Sequence, residues 1–164
     1  MIDHIHIDAS GRYQEFANVL TQTFRKTDIA TSNTSPYHLI IEQERINKRV
    51  ATVTEKVRVS EYEISLVLVY SFTVDTPTQT TKKDAPETNT LIHSQRIQLS
   101  RNYIYDITRV TAMQREEQLI LEEMRQEASY RILHQMQGVS DKLNVRSAAE
   151  FKPGSARLSE QKSQ

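Results

Sequence analysis

The sequence predicts an α+β fold: a two-layer sandwich in which a four-stranded sheet carries two helices on one face, in the order β-α-β-β-β-α. Three observations predict it. Residues 62–74 alternate strictly between apolar and more polar side chains. Residues 12–26 and 111–137 instead space their apolar side chains three and four apart. Short polar stretches rich in Ser, Thr, Pro or Gly separate these blocks. A period of two is the mark of a half-buried strand, and a period near 3.6 that of an amphipathic helix. Helices gathered at one face of an antiparallel sheet give the α+β class.

The elements follow in order. Residues 2–8, IDHIHID, read as a short strand with Ile5 and Ile7 on one side. Ser10 is a candidate N-cap in the turn that follows. From Arg12 to Lys26, the side chains Tyr13, Phe16, Ala17, Leu20 and Phe24 form one buried stripe of a helix. A polar connection ends at Pro36. The second strand, about His38 to Thr54, is weakly patterned and heavily charged after Ile41. The third is the clearest. Tyr62, Ile64, Leu66, Leu68, Tyr70, Phe72 and Val74 share one face, and Glu61, Glu63, Ser65, Val67, Val69, Ser71 and Thr73 the other.

Residues 75–89 hold two prolines and many threonines and predict a long exposed loop. The fourth strand, about Thr90 to Tyr105, lines up Ile97, Leu99, Tyr103 and Tyr105, with Arg101 interrupting that face. The last helix, about Thr111 to Gln137, buries Ile120, Leu121, Met124, Ala128, Ile132 and Met136. Thr111 and Gln114 have capping-box spacing, and Gly138 suits the C′ position. The domain is therefore expected over residues 1–138, with a polar, mobile tail over 139–164. Strands two and three, and three and four, are expected to pair antiparallel.

Composition narrows the function. Lys plus Arg equals Asp plus Glu, 21 of each, so the chain lacks the excess charge of a dedicated nucleic-acid binder. With no cysteine, there is no disulfide, zinc–thiolate site or thiol nucleophile. Three glycines and no GxGxxG or P-loop pattern argue against a phosphate-cradling loop. No apolar run approaches the ~20 residues that span a bilayer as a helix. No signal peptide precedes residue 2, which predicts either a cytosolic chain or one shorn of an export segment.

Catalysis finds no convergent residues. Glu116, Glu117, Glu122, Glu123 and Glu127 are interleaved with arginines. Glu127 with Arg131 and Glu122 with Arg125 have the spacing of helix-surface ion pairs. His4, His6 and Asp8 alternate on one strand face, where an exposed sheet edge explains them as well as a metal does. No cofactor and no metal are expected.

One cluster stands out. Arg45, Lys48, Arg49, Lys56 and Arg58 flank the turn between strands two and three, against Glu55 alone. Arg101, Arg109 and Arg115 lie where strand four gives way to the last helix. If strands two to four are sequential hairpin neighbours, both groups meet at one tip. Clustered Arg and Lys suit phosphate oxygens, and an ordinary solubilising tip is the competing reading. Tyr103 and Tyr105 read either as a stacking platform or as the core edge, and their phase with Ile97 and Leu99 favours the core.

The segment 99–136, from Leu99 to Met136, together with the β-α-β-β-β-α order, resembles the LptE (RlpB-like) family. These are lipopolysaccharide-assembly lipoproteins of the Gram-negative outer membrane. The resemblance is carried by an Arg-x-Tyr-x-Tyr-Asp corner (Arg101, Tyr103, Tyr105, Asp106) and by Ala112 with Glu116 and Glu117. It continues through Glu123, Met124 and Ala128, and through the Glu-Tyr strand of residues 60–72. It covers about residues 2–137.

The resemblance implies a non-enzymatic protein that plugs the LptD β-barrel, supports its assembly and binds lipopolysaccharide on its way to the cell surface. It implies the periplasmic side of the outer membrane and an N-terminal lipid anchor. The lipid-bearing cysteine and the Gly-aromatic-x-Leu-Arg stretch of family members are not in this chain, and Met1 is read as a start downstream of them. By region, it implies lipopolysaccharide contacts at Lys56, Arg58 and Arg115, with Arg101, Arg109, Lys48 and Arg49 completing the tip. A lysine expected near the opening of the last helix is replaced by Met113 or Gln114. No nucleic-acid partner is implied. The alternative is a ferredoxin-like α+β module for nucleic acid or another anionic ligand, which requires exposed aromatics on the open sheet face.

Overall fold

The computed structural model describes residues 2–53, 59–76 and 87–150. The chain runs β1 (His4–Ala9), α1 (Gln14–Arg25), β2 (Ala30–Thr31), β3 (Tyr37–Val53), β4 (Val59–Thr76), β5 (Glu87–Asp106) and α2 (Val110–Glu150). Short 3-10 turns precede both helices, at Gly11–Tyr13 and Ile107–Arg109. The sheet order is β2-β1-β3-β4-β5. The α+β class and the antiparallel β3–β4–β5 meander are as the sequence predicts. The predicted polar connection before Pro36 contains a two-residue strand, β2, so the sheet has five strands. β2 and β3 both pair parallel to β1.

The weak pattern of β3 has a local cause. Ile41 pairs with Tyr70, but Gln43 pairs with Val69, so Glu42 is an extra residue in a bulge. A bulge reverses the alternation. Leu39 and Ile41 face the helices before it; Glu44, Ile46, Lys48 and Val50 face them after it. A second shift between Val50 and Thr52 repeats the device near the end of the strand.

Both helices lie on one side. α1 buries Phe16, Ala17, Leu20 and Phe24, the stripe read from its spacing. It ends in a Schellman motif: Ile29 N–H bonds Phe24 C=O at 3.0 Å and Asp28 N–H bonds Arg25 C=O at 3.4 Å. That motif needs a left-handed residue, and Asp28 supplies it with φ 60°. Ser10 precedes the first 3-10 turn without a side-chain cap bond. Before the other helix, Asp106 caps the 3-10 turn, its carboxylate accepting Thr108 N–H at 2.9 Å, and Thr111 lies within the first turn of α2 rather than ahead of it.

α2 runs back along β4 and β5. Its 41 residues span roughly 60 Å at ~1.5 Å each, and the 18 residues of β4 span roughly the same at ~3.3 Å. Met124, Ala128, Ile132 and Met136 pack with Leu66, Leu68, Tyr70 and Phe72 into one core. The Tyr70 hydroxyl donates to Gln135 within that layer, and burial pushes its phenol up to about 12.

The helix passes through Gly138 to Glu150, so the tail expected from residue 139 begins as helix. Gly138 has no positive φ, and an added Cβ there meets nothing within 4 Å. Gly138→Ala is therefore expected to raise stability by about 0.5–1 kcal/mol, measured by urea unfolding. A glycine at a left-handed C′ would give a loss instead.

Candidate functional site

The distal end of the sheet brings together the described segments that flank the predicted cations. Val53 pairs with Ser60, and Val59 pairs with Asp106. The end of β3, the start of β4, the end of β5 and the opening of α2 thus lie together. Lys56 and Arg58 fall outside the described residues. The other five predicted side chains have defined surroundings.

Lys48 faces the helices because of the Glu42 bulge. Its Nζ lies 2.5 Å from Glu117 Oε2 of α2. It also lies 5.0 Å from the ring centroid of Tyr62, 5.6 Å from Tyr103 and 5.5 Å from Tyr105. Tyr62 and Tyr105 meet edge to face at 5.2 Å, and Tyr103 lies tilted at 5.9 Å from Tyr62. The Tyr103 hydroxyl donates to Glu117 Oε2 at 3.1 Å. A cation over several ring faces is attracted by each quadrupole. Partial burial pulls the ammonium's pKa down. The hydrogen bonds and charges of Glu117 and Tyr103 outweigh that and hold it above the ordinary lysine value. On the Tyr103 phenol burial acts the other way and raises it.

The remaining pairs are simpler. Arg49 forks onto Glu63 across β3 and β4, with Nε–Oε1 at 3.1 Å and Nη2–Oε2 at 3.0 Å. Arg101, on the helix face, meets Glu127 of α2 at 2.5 Å, and Arg131 joins the same carboxylate at 2.7 Å. Arg109 and Arg115 are exposed and, among the described residues, neither is in an ion pair. Arg109 adds to the Thr108 hydrogen bonds that hold Asp106 below the usual carboxylate range.

The structure therefore divides the predicted set. Lys48, Arg49 and Arg101 are engaged with Glu117, Glu63 and Glu127. Arg109 and Arg115 remain available. Glu127–Arg131 is the helix pair the spacing predicts, whereas Arg125 bypasses Glu122. It bonds Glu44 of β3 at 2.8 Å and Glu15 of α1 at 2.6 Å, with only 14% of its side chain exposed. Neither partner is legible from spacing along α2. His6 and His38 stand ring to ring at 5.3 Å, and His38 pairs with Asp75 at 3.1 Å. Among the described residues no three His, Asp or Glu side chains form a metal-ligating group.

Apolar surface accompanies the free cations. Val50, Ile104 and Val110 are exposed at the distal end, with Ile46 further along β3. The open sheet face carries Glu61, Glu63, Ser65, Gln98, Ser100 and Asn102, and no Tyr or Phe among the described residues.

These features define a class: an α+β two-layer scaffold with a charged, partly apolar tip. The profile of the family described as "LptE: Lipopolysaccharide-assembly" matches residues 2–136. The chain belongs to the LptE lipopolysaccharide-assembly family. The fold is similar to a crystal structure of the rare lipoprotein B from Shewanella oneidensis. That match has a TM-score of 0.65 and 18% identity, and covers 86% of this chain and 98% of that one. A minor lipoprotein from Acinetobacter baumannii gives 0.62 at 12% identity, over 87% of this chain and 94% of the other. Lipoprotein B from Nitrosomonas europaea, solved in solution, gives 0.63 at 17% identity, over 86% of each. No curated protein sequence matches.

The caged lysine yields a pH signature. The folded pKa is raised, so Lys48's contribution is complete below the ordinary lysine value of about 10.4 and is lost as pH climbs through the folded value. Lys48→Met keeps the apolar stem and removes the charge. It is expected to cost about 1 kcal/mol at pH 7. In urea unfolding, that gap from the parent chain should hold constant from neutral pH to about pH 10 and narrow above it.

Proposed function

We propose that this chain is a non-enzymatic lipoprotein of the outer membrane, on its periplasmic side, that seats as a plug in the LptD β-barrel and supports the barrel's assembly. It binds lipopolysaccharide there as the glycolipid passes to the cell surface. Family membership supports the lipopolysaccharide-assembly role.

The observation that carries the ligand half is the register of Val53 with Ser60 and of Val59 with Asp106. The chain leaves and re-enters the sheet, on either side of Lys56 and Arg58, beside Arg109 and Arg115. Those four are the cations the reading assigns to lipid phosphates. Arg makes paired, charge-assisted bonds to phosphate oxygens. Exposed Val50, Ile104 and Val110 add apolar surface at the same end, as an amphiphile with acyl chains requires. The nucleic-acid alternative is disfavoured by the open sheet face, which among the described residues carries no aromatic platform that stacks bases.

Changing Lys56, Arg58 and Arg115 together to glutamate is expected to weaken lipopolysaccharide binding by about tenfold or more, read by titration of the purified chain. The parent's affinity should fall with added salt. Undiminished binding by the triple variant rejects the tip as the site. Co-purification with LptD tests the plug, and failure to co-purify from cells expressing both rejects that half alone.

A further inference from the structure

At the end of the molecule opposite the tip lies a cavity of about 500 Å³. The residues just before β1, the turn after α1 and one side of α2 enclose it. Its floor is the outer layer of the core: Ile2, Ile29, Leu133 and Met136. Its rim carries Asp3, Asp28 and Asp141. Among the described residues no cation is paired with any of the three carboxylates, Arg25 and Lys26 of the adjoining turn included.

Asp28 occupies a costly position. The Schellman motif fixes it at φ 60°, where glycine is relaxed and Asp or Asn is tolerated. An aspartate there sets a carboxylate at the mouth of the cavity. Gln137 and Ser140, also on the rim, make no side-chain hydrogen bond among the described residues. They can meet a partner's main chain.

We infer that this cavity is a docking site for a protein segment that presents an aliphatic side chain flanked by arginine or lysine. The volume falls within the range of sites that hold a small apolar group. The apolar floor takes the side chain, and the carboxylates take the flanking cations through charge-assisted bonds. The same charge repels the phosphates of an anionic lipid, so the site is distinct in chemistry from the proposed lipopolysaccharide tip. The two lie at opposite ends of the sheet and can be filled together.

The test uses the full chain with methyl labels on Ile29, Leu133 and Met136. It is titrated with a blocked Gly-Arg-Leu-Arg-Gly peptide and followed by NMR. Saturable shifts of these methyls are expected. A Glu-flanked version and a version with glycine in place of leucine should give none. Asp28→Asn with Asp141→Asn should weaken the Arg-flanked peptide by about tenfold, the loss of two charge-assisted contacts. Asn tolerates the left-handed position and Asp141 is exposed, so this variant should keep the parent's spectrum elsewhere. No saturable shift, equal shifts from the Glu-flanked peptide, or affinity unaltered in the double variant would overturn the assignment. So would tighter binding of phosphatidylglycerol micelles, or a shift in sedimentation showing that a second copy fills the cavity.

Discussion

Lys48 can hold either an anion in solvent or the cage of Tyr62, Tyr103, Tyr105 and Glu117, and in this fold it holds the cage. Much of the distal end depends on that choice. β3 pairs with β1 from His38 to Ile41, so beyond the Glu42 bulge its outer edge has no strand beside it among the described residues. α2 starts at this same end. A cation reaching from β3 to three rings on β4 and β5 and to a carboxylate on α2 ties four elements at one point. Its strength comes from several weak attractions converging on one partly covered charge.

The same logic recurs along α2. Arg101 and Arg131 share Glu127 near its middle. Arg125 joins α2 to β3 through Glu44 and to α1 through Glu15. Of these, Arg125 and Glu44 form a covered pair, and covered pairs do little for net stability compared with apolar packing. They do fix which turn of the helix faces which strand, since a shifted helix would leave Arg125 and Glu44 buried without partners. The zero net charge of the sequence is thus not blandness. Among the described residues, five cations, Lys48, Arg49, Arg101, Arg125 and Arg131, serve internal geometry rather than a ligand.

How far the sequence disclosed this varies with the range of the interaction. The class, both helical stripes and the β3–β4–β5 meander were legible because they rest on local period. Strand β3 was not, because one extra residue, Glu42, reversed its alternation, and a bulge has no signature in hydrophobicity alone. The two-residue β2 is too short to show a period. Gly138 looked like a helix end because glycine usually is one; Met136 before it and the turns beyond continue the helix regardless. The basic residues at the tip were visible, but their partners were not. Glu117 is 69 residues from Lys48, and Glu44 is 81 from Arg125. A tyrosine-rich strand end could have hinted at a cage, yet which lysine fills it follows only from the bulge.

The corner Arg101, Tyr103, Tyr105 and Asp106, which carried the family resemblance, proves to be structural at every position. Arg101 anchors Glu127, the two tyrosines wall the lysine, and Asp106 caps the turn into α2. A sequence signature of this kind marks the scaffold that aims a site rather than the site itself. It follows that ligand-contacting residues are to be sought among charges the scaffold leaves unpaired. Among the unpaired charges of the described residues, Arg109 and Arg115 at one end, and Asp3, Asp28 and Asp141 at the other, are the ones that also lie beside exposed apolar or cavity surface. A scaffold whose long-range ion pairs hold the helix on the sheet can leave such groups at its two ends unspent by its own packing.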